Sequence, residues 1–295
     1  MYRNFEELKS IKKDIRSTLV VAAAHDMHTL EAVFAAAVEL KTHYLLVGNR
    51  EKIITISDEL GVSPDPEMII DGGDDADCAR IAVDLIRAGR GDALMKGILE
   101  TGTLLKAVLK KEAGVRGSGT LSHMALLESP GYHKLVGITD GGMIPGPTLE
   151  QKIDIVKNAV VYFKNLGYEK PKVAALCASE TVSPKIQETV EAAALQEMCS
   201  RGELGDCILE GPISFDLAVS KESASIKGFH SEISGETDIL HVPNITVGNV
   251  LVKGLIYWAG AKMAGTILGA KVPIVLASRG ASAEEKLLSI MISLI

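Results

Sequence analysis

The sequence predicts an α/β protein built on mostly parallel sheets, and three observations carry that prediction. Short, almost continuously apolar runs alternate with longer amphipathic ones along all 295 residues, the pattern of strands buried on both faces and their crossover helices. Glycine or aspartate closes several short runs, as at Val47-Gly48 and Ile70-Asp71. One Gly/Pro-rich stretch, Asp140-Gly141-Gly142-Met143-Ile144-Pro145-Gly146-Pro147, interrupts the alternation, which then restarts.

Taken in order, the predicted strands are 18–24, 43–48, 68–71 and 92–96, and the helices between them are 30–40, 51–60 and 76–88. Residues 121–127 and 135–139 form a close pair around the Pro130-Gly131 turn, so an antiparallel element is expected there. Thr148 can cap a helix running to 166, after which strands fall at 173–178, 207–209, 239–242 and 274–277. The later helices are predicted at 184–198, 247–268 and 283–294. The break near 145 divides the chain into two α/β domains, 1–145 plus 280–295 and 146–279. Small-molecule sites in such proteins are expected in the interdomain cleft, where strand C-termini and helix N-termini converge.

Composition narrows the function classes. With 31 Lys+Arg against 38 Asp+Glu the net charge is -7, and no Lys/Arg block offers the clustered cations that nucleic acid needs. The longest apolar stretch, 247–270, is interrupted by Lys253 and Lys262, so no membrane span is expected. Glu6 and Glu7 stand where a signal peptide would have its apolar core. Cys78, Cys177, Cys199 and Cys207 are scattered without a CxxC pair, so they read as free thiols of a reducing compartment, and the cytoplasm is the expected location.

Three stretches carry candidate chemistry. In the first, a strand ends in Ser278-Arg279-Gly280 and a helix begins within a few residues. A helix start favours an anion, Arg279 adds a bidentate phosphate partner, and Glu285 lies close enough to the same mouth to act as a base. The plainer alternative is a surface ion pair for Arg279 and a capping box between Ser282 and Glu285. In the second stretch, Lys96 ends a buried strand, Gly97 permits close backbone approach, and Thr101 and Thr103 open the next helix with hydroxyls and N–H groups. Solvent exposure of Lys96 and ordinary capping explain the same pattern. In the third, Gly248 marks a close approach to the backbone, and Asn249 and Lys253 share a helix face four residues apart. A buried helix with one snorkelling lysine is the alternative.

Other signals are weaker. His25-Asp26-Met27-His28 lacks a second carboxylate cluster, and Asp26 reads better as a helix cap than as a metal ligand. Gly117-Ser118-Gly119-Thr120 matches neither GxxxxGK[ST] nor GxGxxG. Cys177 ends a strand without a nearby histidine.

Together these stretches resemble the phosphate acetyl/butyryl transferase family, and most closely its butyryl branch. The resemblance rests on 92–97 (DALMKG), Ser122-His123-Met124-Ala125, 138–142 (ITDGG), 210–220 (EGPISFDLAVS), 238–243 (DILHVP), 248–253 (GNVLVK) and 273–279 (PIVLASR), in that order across nearly the whole chain. It implies two domains of the isocitrate/isopropylmalate dehydrogenase-like architecture, a cleft active site and a homodimer or higher homo-oligomer. The implied reaction is acyl-CoA plus phosphate to acyl phosphate plus CoA, with butyryl as the expected acyl group. Coenzyme A is then a substrate, and no metal, other cofactor, nucleic acid or membrane takes part. By resemblance Ser278 and Arg279 hold the phosphate, and Glu285 stands where the acetyl branch has a catalytic aspartate. Lys96, Gly97, Thr101, Thr103, Ser122, His123, Gly248, Asn249 and Lys253 become the substrate-binding candidates. Gly280-Ala281 departs from the Ala/Ser-Asp that often follows the arginine in the butyryl branch. Two rival functions are an acetyltransferase of the same family and a decarboxylating NAD-dependent dehydrogenase. The latter needs clustered aspartates for a divalent metal, and the sequence shows none.

Overall fold

The computed structural model describes residues 1–11, 17–117, 119–277 and 281–295. The chain divides into two units, Glu6–Gly119 with Ala264–Ile295, and Met1–Phe5 with Thr120–Met263.

After α1 (Phe5–Ile11), the first unit alternates β1 (Thr18–Ala22), α2 (Met27–Glu39), β2 (His43–Gly48), α3 (Arg50–Glu59), β3 (Ile69–Asp71), α4 (Asp75–Arg87), β4 (Ala93–Lys96) and α5 (Thr101–Val108). These four strands pair in parallel, and Val20, Val21, Leu46, Val47 and Leu94 are all wholly buried. That is why their sequences read as continuous apolar runs. Asp26, Asn49 and Asp74 cap the helices that follow, each accepting from a backbone N–H three residues on.

The second unit begins with β5 (Ser122–Glu128) and β6 (Val136–Thr139), an antiparallel pair as the Pro130-Gly131 turn predicts. It continues through α6 (Leu149–Asn165), β7 (Lys172–Leu176), α7 (Gln187–Ser200), β8 (Ile208–Ile213), two short helices α8 (Phe215–Val219) and α9 (Lys221–Ile226), β9 (Ile239–His241) and α10 (Ile245–Ala259). Its strands run in the order β5-β6-β9-β7-β8, parallel except for the first pair. Thr148 and Gln151 close a full capping box at the start of α6. The core of this unit gathers Leu127, Ile138, Ala174, Ile213, Leu217 and Leu240. At its buried heart the Lys134 ammonium meets Asp238 Oδ1 at 2.5 Å and donates to the Glu236 carbonyl at 2.7 Å, with both ionic side chains at most 3% exposed.

The chain returns to the first unit with β10 (Lys262–Leu268), β11 (Ile274–Val275) and α11 (Ala283–Leu294). There the order is β3-β2-β1-β4-β11-β10, with β11 parallel to β4 and antiparallel to β10. Helix α11 packs on α2.

The helix expected over 247–268 is the largest difference from the sequence reading. It ends at Ala259 because Gly260 takes φ 68°, a left-handed C-cap, and residues 262–268 form β10 instead. Strand β8 runs on to Ile213, beyond the expected 207–209, and α1, α8 and α9 are additional. The Gly/Pro-rich stretch 140–147 lies inside the second unit. There the Asp140 carboxylate accepts from the N–H groups of Gly142 and Met143 at 2.9 Å and of Ile144 at 3.1 Å, so the glycines serve a tight local turn. The units divide at 119/120 and 263/264, compared with the predicted ranges of 1–145 plus 280–295 and 146–279.

Candidate active site

In the first unit the segments that follow β1, β4 and β11 line a cavity of about 350 Å³. Strand β4 buries Leu94 and Met95 and so delivers Lys96 to its rim, where Nζ donates to the carbonyls of Gly97 at 2.9 Å and Leu99 at 3.0 Å. Gly97 lines the cavity too, but a Cβ there would sit 2.1 Å from the Ala23 carbonyl oxygen. The glycine is therefore required by the packing of its own chain on the end of β1. From the β11 side the cavity is lined by Ala277, the residue before Ser278. Ser278 and Arg279 themselves lie outside the described residues.

Helix α11 supplies the second cation. Lys286 lines the cavity, is only 8% exposed, and makes no salt bridge among the described residues. A lysine side chain lining a cavity without a salt-bridge partner among the described residues offers its charge to a bound anion. Asp26 completes the wall. One carboxylate oxygen caps α2 through the Thr29 N–H at 3.1 Å, while Oδ2 is buried without a hydrogen-bond partner among the described residues. The His25-Asp26-Met27-His28 run thus serves the helix cap, as its sequence suggests.

Glu285 sits in the first turn of α11, half-buried. Its backbone N–H donates to Ser282 Oγ at 3.1 Å, the first half of a capping box, and the reciprocal bond from the Ser282 N–H does not form. The carboxylate is thereby left available for other work. Burial pushes its pKa up from the ordinary value, and the neighbouring Lys286 ammonium opposes that shift. A carboxyl with a raised pKa is a better match to proton transfer near neutrality. Thr101 and Thr103 open α5, whose N-cap Glu100 makes no side-chain capping bond. Neither threonine lines the cavity.

The remaining candidates cluster in the second unit. Ser122 is fully buried in β5, and its Oγ accepts from Asn158 Nδ2 at 3.0 Å, a bond that ties β5 to α6. His123, next in β5, has a buried Nδ1 with no partner among the described residues. Burial lowers its pKa while the Asp140 carboxylate opposes that shift, so the ring is held neutral at physiological pH. A Cβ on Gly142 would lie 2.9 Å from the His123 ring. Gly248 does receive a close approach, as its sequence implies, but from Gly141: a Cβ there would fall 2.6 Å from the Gly141 Cα. Asn249 and Lys253 are both exposed on α10.

Lys286 is a lining residue that the sequence analysis does not single out. A signal for Lys286 exists: it precedes the buried Ser289, Ile290 and Ser293 by three, four and seven residues, so a lysine stands on the buried stripe of α11. Among the described residues no group of His, Cys, Asp or Glu is arranged to hold a metal ion.

The family model described as Phosphate acetyl/butaryl transferase matches residues 74–294. The phosphate butyryltransferase of Clostridium acetobutylicum is 37% identical over 294 residues, covering 99% of this chain and 98% of the relative. The phosphate acetyltransferase of Thermotoga maritima is 41% identical over 288 residues, with 98% of each covered. Among solved structures, a branched-chain phosphotransacylase from Enterococcus faecalis superposes with a TM-score of 0.82 at 34% identity, over 94% of this chain and 98% of its own.

Proposed function

The chain belongs to the phosphate acetyl/butyryl transferase family and is an acyltransferase, and from that premise we propose that it moves a short-chain acyl group, butyryl foremost, between CoA and phosphate. One observation supports the reading above the others: a cavity beyond β1, β4 and β11, walled by the buried Lys286, by Lys96 and by Ala277, where the chain leads into Ser278 and Arg279.

In this proposal Ser278 and Arg279 hold the phosphate or acyl-phosphate oxyanion, with Lys96 and Lys286 supplying further positive potential. Cations fixed in a dry site stabilise the charge that develops on the carbonyl oxygen and the leaving phosphate, without reorganising during the reaction. Glu285 assists removal of the CoA thiol proton; a free thiol has a pKa of roughly 8.5, so the base raises the reactive thiolate fraction. Attack occurs directly between two bound substrates, and their positioning is the main catalytic contribution. Gly97, Thr101, Thr103, Ser122, His123, Gly248, Asn249 and Lys253 bind the substrates or shape their site. The enzyme is a homo-oligomer of the cytoplasm on an isocitrate/isopropylmalate dehydrogenase-like fold.

A panel of acyl-CoAs, assayed for free-thiol release with and without phosphate and with EDTA, tests this. Butyryl-CoA is expected to be turned over fastest, only with phosphate and undiminished by chelation. Faster turnover of acetyl-CoA would move the enzyme to the acetyl branch, since one methylene in a pocket discriminates by only about 1–3 kcal/mol. NAD-dependent oxidation of a hydroxy acid, abolished by EDTA, would replace the proposal with the dehydrogenase function.

A further inference from the structure

Cysteine usage in the sequence suggests four independent thiols, yet the fold brings two of them together. Cys199 lies in the last turn of α7 and Cys207 just before β8, and their sulfurs stand 3.6 Å apart. The intervening turn reverses the chain on Gly202 and Gly205, both left-handed at φ 75° and 90°. The pairing is already supported by packing, since Gln196 Nε2 on α7 donates to Glu210 Oε1 on β8 at 3.2 Å. By contrast Cys177 donates to the Glu188 carbonyl, and Cys78 is wholly buried in the other unit.

We infer that Cys199 and Cys207 form a dithiol that a low-molecular-weight disulfide reversibly oxidises to an intramolecular disulfide, a modification site independent of the acyl-transfer reading. The sulfurs need approach by only about 1.5 Å to reach bonding distance, a side-chain rotation rather than a refolding of the turn. Cys199 is the half-buried member and is flanked by the exposed Ser200, Arg201 and Gly202, whereas Cys207 is 6% exposed. Access therefore makes Cys199 the attacking thiol. Its thiolate displaces one half of the oxidant as R–S⁻ and forms a mixed disulfide. The Cys207 sulfur then attacks Cys199 Sγ and expels the second R–S⁻, which takes up the Cys207 proton. Two S–H bonds of the protein and one oxidant S–S bond are exchanged for one protein S–S bond and two R–SH molecules. Burial first, and then the neighbouring Cys199 sulfur, push the Cys207 thiol pKa up, which makes it slow toward external oxidants; its attack on the mixed disulfide relies on the 3.6 Å proximity of the two sulfurs.

The test uses the full chain with oxidised glutathione, followed by alkylation of remaining thiols and peptide mapping without reduction. The expected result is a fall in free thiols from four to two, a cross-linked peptide containing Cys199 and Cys207, and full reversal by dithiothreitol. Cys207→Ser should accumulate glutathione on Cys199, and Cys199→Ser should give neither product. Wild-type protein that stays glutathionylated at Cys199 without the cross-link would overturn the inference. So would native protein whose four thiols all resist oxidation while the denatured chain reacts.

Discussion

Glu285 and Lys286 are adjacent in sequence, and replacing either should impair the reaction without loss of stability. Because burial raises the folded-state pKa of Glu285, its ionised form is disfavoured by the fold. The stability this group contributes is present below its unfolded pKa and is lost as pH rises through the raised folded value. Glu285→Gln should therefore leave Tm at neutral pH unchanged or slightly higher, as the cap uses only the backbone N–H. The same variant should lower kcat in the acyl-phosphate-to-CoA direction by about 10²–10⁴-fold, the usual worth of a general base, with the KM for CoA nearly constant. Raising pH toward the thiol pKa should restore part of the rate. In the wild type, kcat/KM should fall on the acid side at a pH above the ordinary glutamate range. A glutamine variant with full kcat and reduced Tm would return Glu285 to a purely structural role. Lys286→Met tests the cavity itself. Removing a lysine that makes no salt bridge among the described residues should leave Tm unchanged or higher, while losing a charge-assisted contact worth about 1.5–3 kcal/mol should raise the KM for phosphate roughly ten- to a hundredfold. Steady-state kinetics beside a thermal melt reads both, and an unchanged KM would remove Lys286 from the site.

Elements differ in how plainly their residues announce them. Helix α6 was legible because Thr148 and Gln151 form a capping box ahead of a regular apolar stripe, and β5 with β6 because a Pro-Gly turn separates two short strands. Strand β10 was not, since the apolar stretch over 247–270 has no interruption of period that separates helix from strand. Gly260 was the available signal, as an isolated glycine there is a helix stop rather than a tolerated interior residue. Lys134 was equally silent: nothing local in Tyr132-His133-Lys134 reveals that its ammonium lies wholly buried against Asp238, a hundred residues away. Desolvation works to lower the Lys134 pKa while Asp238 opposes it, so the lysine depends on that partner for its charge. Breaking such a pair from one side leaves an uncompensated buried ion. Lys134→Met is accordingly expected to destabilise by about 3–5 kcal/mol in urea unfolding, and the paired Lys134→Met, Asp238→Leu variant by much less. Equal losses in the two variants would show that the ion pair is not what the site requires.

For the molecule as a whole, the repeating α/β pattern was readable because strands buried on both faces must be apolar throughout. The compact divisions at 119/120 and 263/264 were hidden because the conspicuous glycines and prolines of 140–147 serve the Asp140 turn within one unit. The candidate site was legible in part for a related reason. A strand-end lysine shows in local sequence, whereas Lys286 reaches the cavity only through the seating of α11 on α2. Net charge of -7 also conceals these local cations, which is why overall charge speaks to nucleic acid and not to a small anionic substrate. The central claim is that phosphate attacks the acyl group of an acyl-CoA directly and keeps it. Phosphorus NMR of the enzyme with butyryl-CoA, phosphate and EDTA measures this most directly. An acyl phosphate resonance growing in step with free CoA thiol is the predicted result; thiol release with phosphate unchanged and free butyrate accumulating would contradict it.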